Sequence, residues 1–182
     1  MMIEPLIAIL AFIPAMIANS LAVLFGGGPP IDSRRTWKGK RILGDGKTWR
    51  GLFGGGISAG LVGISLHCIL SSFNIYIYPS LPEGLVLIFT LSFGSLLGDI
   101  GASFIKRRRG ISRGENSPIM DRYDFIVGAF LLVILINRVW FYDTYVHGYG
   151  WIGTIIIIIG VPFLHRAVNI LGYKLDLKEE PW

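Results

Sequence analysis

The chain is 182 residues long and 52% hydrophobic, with 16% charged residues, a net charge of +5 and a mean hydropathy of +0.59. A soluble domain usually carries about 25% charged residues, so this composition excludes an ordinary soluble enzyme, and equally a disordered or collagen-like chain. A chain so apolar and still basic must gather its charge in a few places.

Five stretches are long and apolar enough to cross a hydrocarbon core, which takes about 20 helical residues. They are 3–25, 51–73, 84–105, 125–140 and 151–171. The first opens Met1-Met2-Ile3-Glu4-Pro5, without a basic leader, and is long for a signal-peptide core, so it reads as a retained span. After it comes segment 26–50, with Arg34, Arg35, Lys38, Lys40, Arg41, Lys47 and Arg50. Segment 106–124 follows the third stretch and holds Lys106, Arg107, Arg108, Arg109, Arg113 and Arg122. Arg166, Lys174 and Lys178 lie at the end of the fifth, leaving Arg138 alone on the other side, so 16 of the 17 basic residues share one face. By the positive-inside rule that face is cytoplasmic.

The sequence thus predicts an all-α, multi-pass protein of the cell membrane, one domain over residues 1–182 with about five transmembrane helices. Its N-terminus is outside and its C-terminus cytoplasmic. The outer connections, 74–83 and 141–150, are short and rich in aromatics, as suits an interface. The single Cys68 lies within a span, so there is no disulfide framework. The two basic inner loops are the only polar territory large enough for aqueous chemistry.

Glycine totals 24, and pairs such as Gly56/Gly60 and Gly94/Gly98 are spaced to let helix backbones approach closely. A second reading has Gly98 and Gly101 clearing space for a ligand beside Asp99. That aspartate lies six residues before the end of the third stretch, a depth of about 9 Å at 1.5 Å per residue. A carboxylate there is costly and calls for a polar cavity and a partner or metal. Asp121 and Asp124, three apart, share one face if the fourth helix has begun. With Asp99 they would form an oxygen-rich site suited to Mg²⁺, with nucleotide phosphates completing its shell. His67, His147 and His165 are too scattered for a zinc site.

Lys106 and Arg107 fall on the last turn of the span that carries Asp99, beside that site, as polyphosphate binding requires. In the first loop, Gly46-Lys47-Thr48 has the end of a P-loop but not its start: Arg41 stands where the first glycine belongs, and no buried strand precedes it. Its glycines, hydroxyl and cations still describe a loop that could wrap phosphates, with Arg35, Lys38, Lys40, Lys47, Thr48 and Arg50 as candidates. Asn19, near the inner end of the first span, could reach the same cavity.

Gly98-Asp99-x-x-x-Ser103-x-x-Lys106-Arg107, followed by Pro118-x-x-Asp121-Arg122-x-Asp124, resembles the signature of the membrane phosphatidate cytidylyltransferases, the CDP-diacylglycerol synthases. The short five-span form, with Thr36-Trp37-Lys38-Gly39-Lys40-Arg41 and Gly44-Asp45-Gly46-Lys47-Thr48-Trp49-Arg50-Gly51, is similar to the archaeal branch of that family, the CDP-archaeol synthases, over essentially the whole chain. The resemblance implies transfer of CMP from CTP to unsaturated archaetidic acid, an isoprenoid glycerol-phosphate lipid in the bilayer, with pyrophosphate released and Mg²⁺ required. It implies Asp99, Asp121 and Asp124 as metal ligands and Lys106, Arg107 and Arg122 as serving phosphates; Asp99, Lys106, Asp121 and Asp124 are the candidate catalytic residues and Ser103 a further candidate for phosphate binding.

Three other readings compete. A CDP-alcohol phosphotransferase motif laid on Asp45-Gly46 puts Ala59 where it needs Gly, and Gly63 and His67 where it needs two Asp, so both later carboxylates are missing. A small ion transporter built on Asp99 would need further polar residues deep in several spans. A basic anchor for anionic lipid or nucleic acid explains the cations but not three spaced acids, so no nucleic-acid partner is expected.

Overall fold

A computed structural model describes residues 3–112, 115, 117 and 119–175; Arg113, Pro118 and Lys178 lie outside the described residues. Its helices are α1 (Ile3–Leu24), α2 (Trp49–Ser72), α3 (Leu81–Arg109), α4 (Met120–Ile136), α5 (Arg138–Tyr145) and α6 (Gly150–Lys174). A two-residue hairpin, β1 (Thr36–Trp37) against β2 (Lys40–Arg41), interrupts the first loop. The all-α expectation holds. Among the described residues α1, α2, α3 and α6 are long and apolar enough to cross a membrane.

The fourth predicted stretch differs from expectation at both ends. α4 starts at Met120 rather than 125, so Asp121 and Asp124 stand on its first turns. It stops at Ile136 because Asn137 (φ −146°, ψ 82°) leaves the helical region and its side chain accepts from the Trp140 N–H, capping α5. At 17 residues, α4 is about 25 Å long, shorter than its companions, yet it joins the two ends of the bundle antiparallel to α3. α3 in turn runs past 105 to Arg109. Four cations occupy its last turn, where the helix dipole favours them, and Gly110 (φ +82°) closes it.

Glu4, at the start of α1, accepts from the Tyr149 N–H at 2.6 Å, just before α6 begins. α6 therefore runs parallel to α1 and carries Arg166 and Lys174 toward the end that holds the basic loops. α5 caps the opposite end, where Asn137 donates to Glu83 and the buried Tyr145 ring packs edge-on against Phe12.

Small residues draw the helices together. Ala8, Ala11, Ala15 and Ala18 of α1 are fully buried, and the Tyr78 and Ser95 hydroxyls donate to the Ala11 and Ala15 carbonyls at 2.6 and 2.8 Å. Such bonds tie helices where no water competes. The two glycine pairs serve different ends. Gly94 and Gly98 do permit backbone contact: a Cβ on Gly98 would lie 2.1 Å from the Asp124 carbonyl oxygen and 2.9 Å from Gly128 Cα. Gly56 and Gly60 do not. They make room for rings, with Phe93 and Phe89 lying where their Cβ atoms would be. The closest backbone approach of α2 is instead Gly55 against Ala22 of α1. Gly101 faces open space, with nothing within 4 Å of its would-be Cβ.

Gly98→Ala should therefore force α3 and α4 apart and lower the thermal midpoint of the detergent-solubilised protein. Gly101→Ala should leave it unchanged or raise it, since alanine in a helix interior is favoured over glycine by about 1 kcal/mol. Equal effects of the two substitutions would show that the crossing is not so tight.

Candidate active site

The Gly98 crossing places Asp99 of α3 beside the first turns of α4. Asp124, whose own Oδ1 accepts from the Phe125 N–H at 2.7 Å, lies within Coulombic range of Asp99, Lys47 and Lys106. The Lys47 ammonium is bonded to Asp99 Oδ2. Lys106 Nζ meets Asp121 Oδ1 at 2.5 Å, and the other Asp121 oxygen accepts from the Ser117 N–H at 2.9 Å. The four paired side chains are between 14% and 25% exposed, so the pairs are shielded but reachable from solvent. Two sequence-distant loops are thereby stitched to one site, residue 47 to 99 and residue 106 to 121.

The other predicted residues have the following settings. Ser103 is buried one turn beyond Asp99 on α3. Arg107 donates from Nε to the Leu43 carbonyl at 3.1 Å and from Nη1 to the Ile111 carbonyl. Arg122 is half-buried and makes no ion pair among the described residues. Thr48 is buried and accepts from the Gly51 N–H at 3.1 Å as the N-cap of α2, so its oxygen already serves the helix. Arg50 is exposed with its stem against Gly28, and Asn19 is half-buried near the inner end of α1.

Lys38 and Lys40 are exposed on the β1–β2 hairpin and pair with none of the three aspartates. Arg35 is exposed too, its N–H donating to the Asp32 carbonyl at 2.8 Å. Among the described residues no three Asp, Glu, His or Cys side chains are drawn round one point for a metal. The oxygens of Asp99 and Asp121 that face the centre are bonded to lysines instead.

Two residues that organise this region carry no motif in the sequence. Asp32 is buried among cations of the first loop. Its carboxylate accepts from Arg41 Nε and Nη2 at 3.2 and 3.0 Å, and from the N–H groups of Arg34, Leu43 and Gly44 at 3.1, 3.0 and 3.2 Å. The adjacent Pro29-Pro30 and the run of basic residues after it were the only hint that an acid here would be enclosed. Arg108, at the end of α3, donates to the carbonyls of Trp37, Lys40 and Arg41. Its guanidinium lies 5.2 Å from the centre of the Trp37 ring, which stacks on Phe104 at 5.8 Å. The hairpin is thus clamped onto α3.

Burial alone would raise the Asp32 carboxyl, but the Arg41 fork and three backbone N–H groups outweigh it and hold the group down from 3.8 to about 2.

These features were compared with known proteins. A family model described as CarS-like, CDP-archaeol synthase, matches residues 1–182. The CDP-archaeol synthase of Methanoculleus marisnigri is 44% identical over 173 residues, spanning 93% of this chain and 99% of that one. That of Picrophilus torridus is 42% identical over 180 residues, spanning 97% and 96%. A solved structure described as an intramembrane enzyme for archaeal membrane lipids biosynthesis aligns with a TM-score of 0.67 at 33% identity, covering 90% of this chain and 92% of the other.

The depressed Asp32 group fixes a sign for pH. A carboxyl held lower in the folded than in the unfolded chain stabilises fully above its unfolded value, and that stability is lost as pH falls through the folded one. Asp32 should therefore contribute about 2 kcal/mol above roughly pH 4, lost progressively toward pH 2. Thermal midpoints in detergent across that interval should fall more steeply for the wild type than for Asp32→Asn. Parallel slopes would contradict the assignment.

Proposed function

The chain belongs to the CarS-like CDP-archaeol synthase family, and on that footing we propose that it transfers CMP from CTP to the phosphate of unsaturated archaetidic acid, releasing pyrophosphate. The observation that carries this to particular residues is the meeting of Lys47–Asp99, Asp124 and Lys106–Asp121 at one end of an apolar bundle. Such a site offers charge of both signs where a membrane lipid's phosphate can arrive sideways while its isoprenoid chains remain in the bilayer. The end that holds it gathers the basic loops and is the cytoplasmic one by the positive-inside rule, where CTP is found.

The lipid phosphate is already an anionic nucleophile, so no side chain need form a covalent intermediate. One of its oxygens attacks the α-phosphorus of CTP in line; the new P–O bond forms as the bond to the β-phosphate oxygen breaks, and pyrophosphate leaves with that electron pair. The difficulty is bringing two polyanions together, so positioning and charge neutralisation carry the catalysis. Lys47 and Lys106 are the cations nearest the carboxylates, and when phosphates enter, their ammonium groups can turn from Asp99 and Asp121 to phosphate oxygens. Arg107 and Arg50 flank the triphosphate, and Arg122 is held in reserve beside Asp121 and Asp124.

The donor chemistry fits Mg²⁺. Asp99, Asp121 and Asp124 supply only hard carboxylate oxygens, and they become available to a cation as the two lysines move to phosphate. When bound, Mg²⁺ would supply a divalent charge shared between these carboxylates and the triphosphate.

Asp99→Asn, Asp121→Asn and Asp124→Asn should each reduce transfer of α-labelled CMP to geranylgeranylated glycerol phosphate by at least about 10²-fold, the scale of losing one electrostatic element of a reacting centre. Each variant should remain folded at the assay temperature, although Asp99→Asn and Asp121→Asn leave a lysine without its partner and lower the thermal midpoint. Near-wild-type turnover in any of the three would remove that residue from the site. Labelling only of a fatty-acyl acceptor would reassign the substrate to the diacyl series.

A further inference from the structure

We propose that Asp32 is a positioning residue for nucleotide binding, acting through the two loop segments that present Lys47 and Arg107. The claim rests on the functional reading above but concerns a residue outside the catalytic signature. The carboxylate does not face the three aspartates. It is buried inside the first loop, its side chain 0% exposed, and it collects five donors from four residues.

Those donors fix the two segments. The Leu43 and Gly44 N–H groups bind Asp32, while the carbonyls of the same two residues accept from Arg107 and from the Lys47 backbone. The Leu43 carbonyl accepts from Arg107 Nε at 3.1 Å. The Gly44 carbonyl accepts from the Lys47 N–H at 3.3 Å, and the Ile31 N–H donates to the Lys47 carbonyl at 2.8 Å. Lys47 is thus gripped on one side through Gly44 and on the other through the residue that precedes Asp32. From there its ammonium reaches Asp99. One buried carboxylate therefore sets the backbone that aims a lysine and the carbonyl that aims an arginine, from two different helices' ends.

Backbone strain points the same way. Ser33 and Arg34 adopt φ of +47° and +61°, and Gly44 a φ of +122°. Left-handed conformations in non-glycine residues cost free energy and persist only where the surroundings over-determine them. Here the Arg34 N–H is bonded directly to Asp32. Lys38, at φ +51°, belongs to the β1–β2 turn, whereas Ser33 and Arg34 directly follow Asp32, and the bond from the Arg34 N–H to its carboxylate holds that turn. Arg41 completes the lock: besides its fork on Asp32, Nη2 reaches Asp45 at 3.0 Å.

The test uses the full chain in detergent with Asp32→Asn, which keeps the shape and removes the charge, and Arg41→Lys, which keeps the charge and removes the fork. For each, Mg²⁺·CTP binding, the KM for CTP, the KM for geranylgeranylated glycerol phosphate and the folded fraction are measured. Losing a charge-assisted hydrogen bond commonly costs about tenfold in a binding constant. The expected result is a rise of that order in both CTP binding constant and KM for CTP, for at least one folded variant, with the lipid KM within about twofold of wild type. Two folded variants with unchanged CTP binding overturn the proposal. So does a proportional loss in the CTP and lipid parameters together, which marks Asp32 as merely structural. A wild-type chain that binds CTP yet transfers no CMP would sink the functional reading while leaving the effect of Asp32 on binding measurable. A wild-type chain that binds no CTP overturns both.

Discussion

A charge carried among apolar helices is costly unless it is matched, and in this protein two carboxylates of the site end are matched by lysines. Lys47 reaches from the first loop to Asp99, and Lys106 reaches from the end of α3 to Asp121. An unpaired charge at that depth would cost several kcal/mol, while a shielded pair in good geometry roughly repays its desolvation. The pairs are therefore poor candidates for net stabilisation. On the proposed function, their value is in holding charge ready where it would otherwise be too costly to keep. A substrate that brings its own negative charge can take over the lysines without leaving an orphaned ion behind, provided a cation replaces them on the carboxylates.

The apolar part of the molecule exists to make that arrangement rigid. Gly98 and Gly128 bring α3 and α4 to backbone contact, which fixes Asp99 relative to Asp121 and Asp124 to within a fraction of a helical turn. α1 and α2 supply the ends from which the first loop is hung, and the alanine-rich face of α1 seats both α3 and α6. At the opposite end α5 and the aromatic cluster around Tyr145 close the bundle. Two hydroxyls bond carbonyls of α1: Ser95 of α3 to Ala15, and Tyr78, in the connection between α2 and α3, to Ala11.

Much of this was legible in the sequence, for identifiable reasons. Long apolar runs and one-sided charge have no competing explanation in a chain of this composition, so the helical membrane architecture followed directly. Asp99, Lys106 and Asp121 stand out in the sequence because a charge deep in or beside an apolar stretch is expensive, and the structure sets each of them against an opposite charge. The ends of α4 were not, because hydropathy does not register a polar N-terminal turn held by Lys106, nor the break at Asn137. Gly56 and Gly60 looked like a helix-contact pair, but spacing alone cannot say whether the neighbour offers backbone or, as here, the rings of Phe93 and Phe89. Lys38 and Lys40 looked equivalent to Lys47 because a cation count ignores the hairpin that carries them away from the aspartates. Asp32 escaped notice because its partners are mostly backbone N–H groups, which any sequence possesses and only a fold can converge.

If the lysines occupy the carboxylates until phosphate draws them away, cation and nucleotide should bind together and weakly apart. Manganese, a paramagnetic stand-in for magnesium, can be titrated into the purified protein and followed by electron paramagnetic resonance with and without CTP, correcting for metal bound to free nucleotide. Tight protein-bound Mn²⁺ is expected only when CTP is present, with Lys47→Met raising the affinity for Mn²⁺ alone. Equally tight metal binding without CTP, unaffected by Lys47→Met, would contradict that exchange.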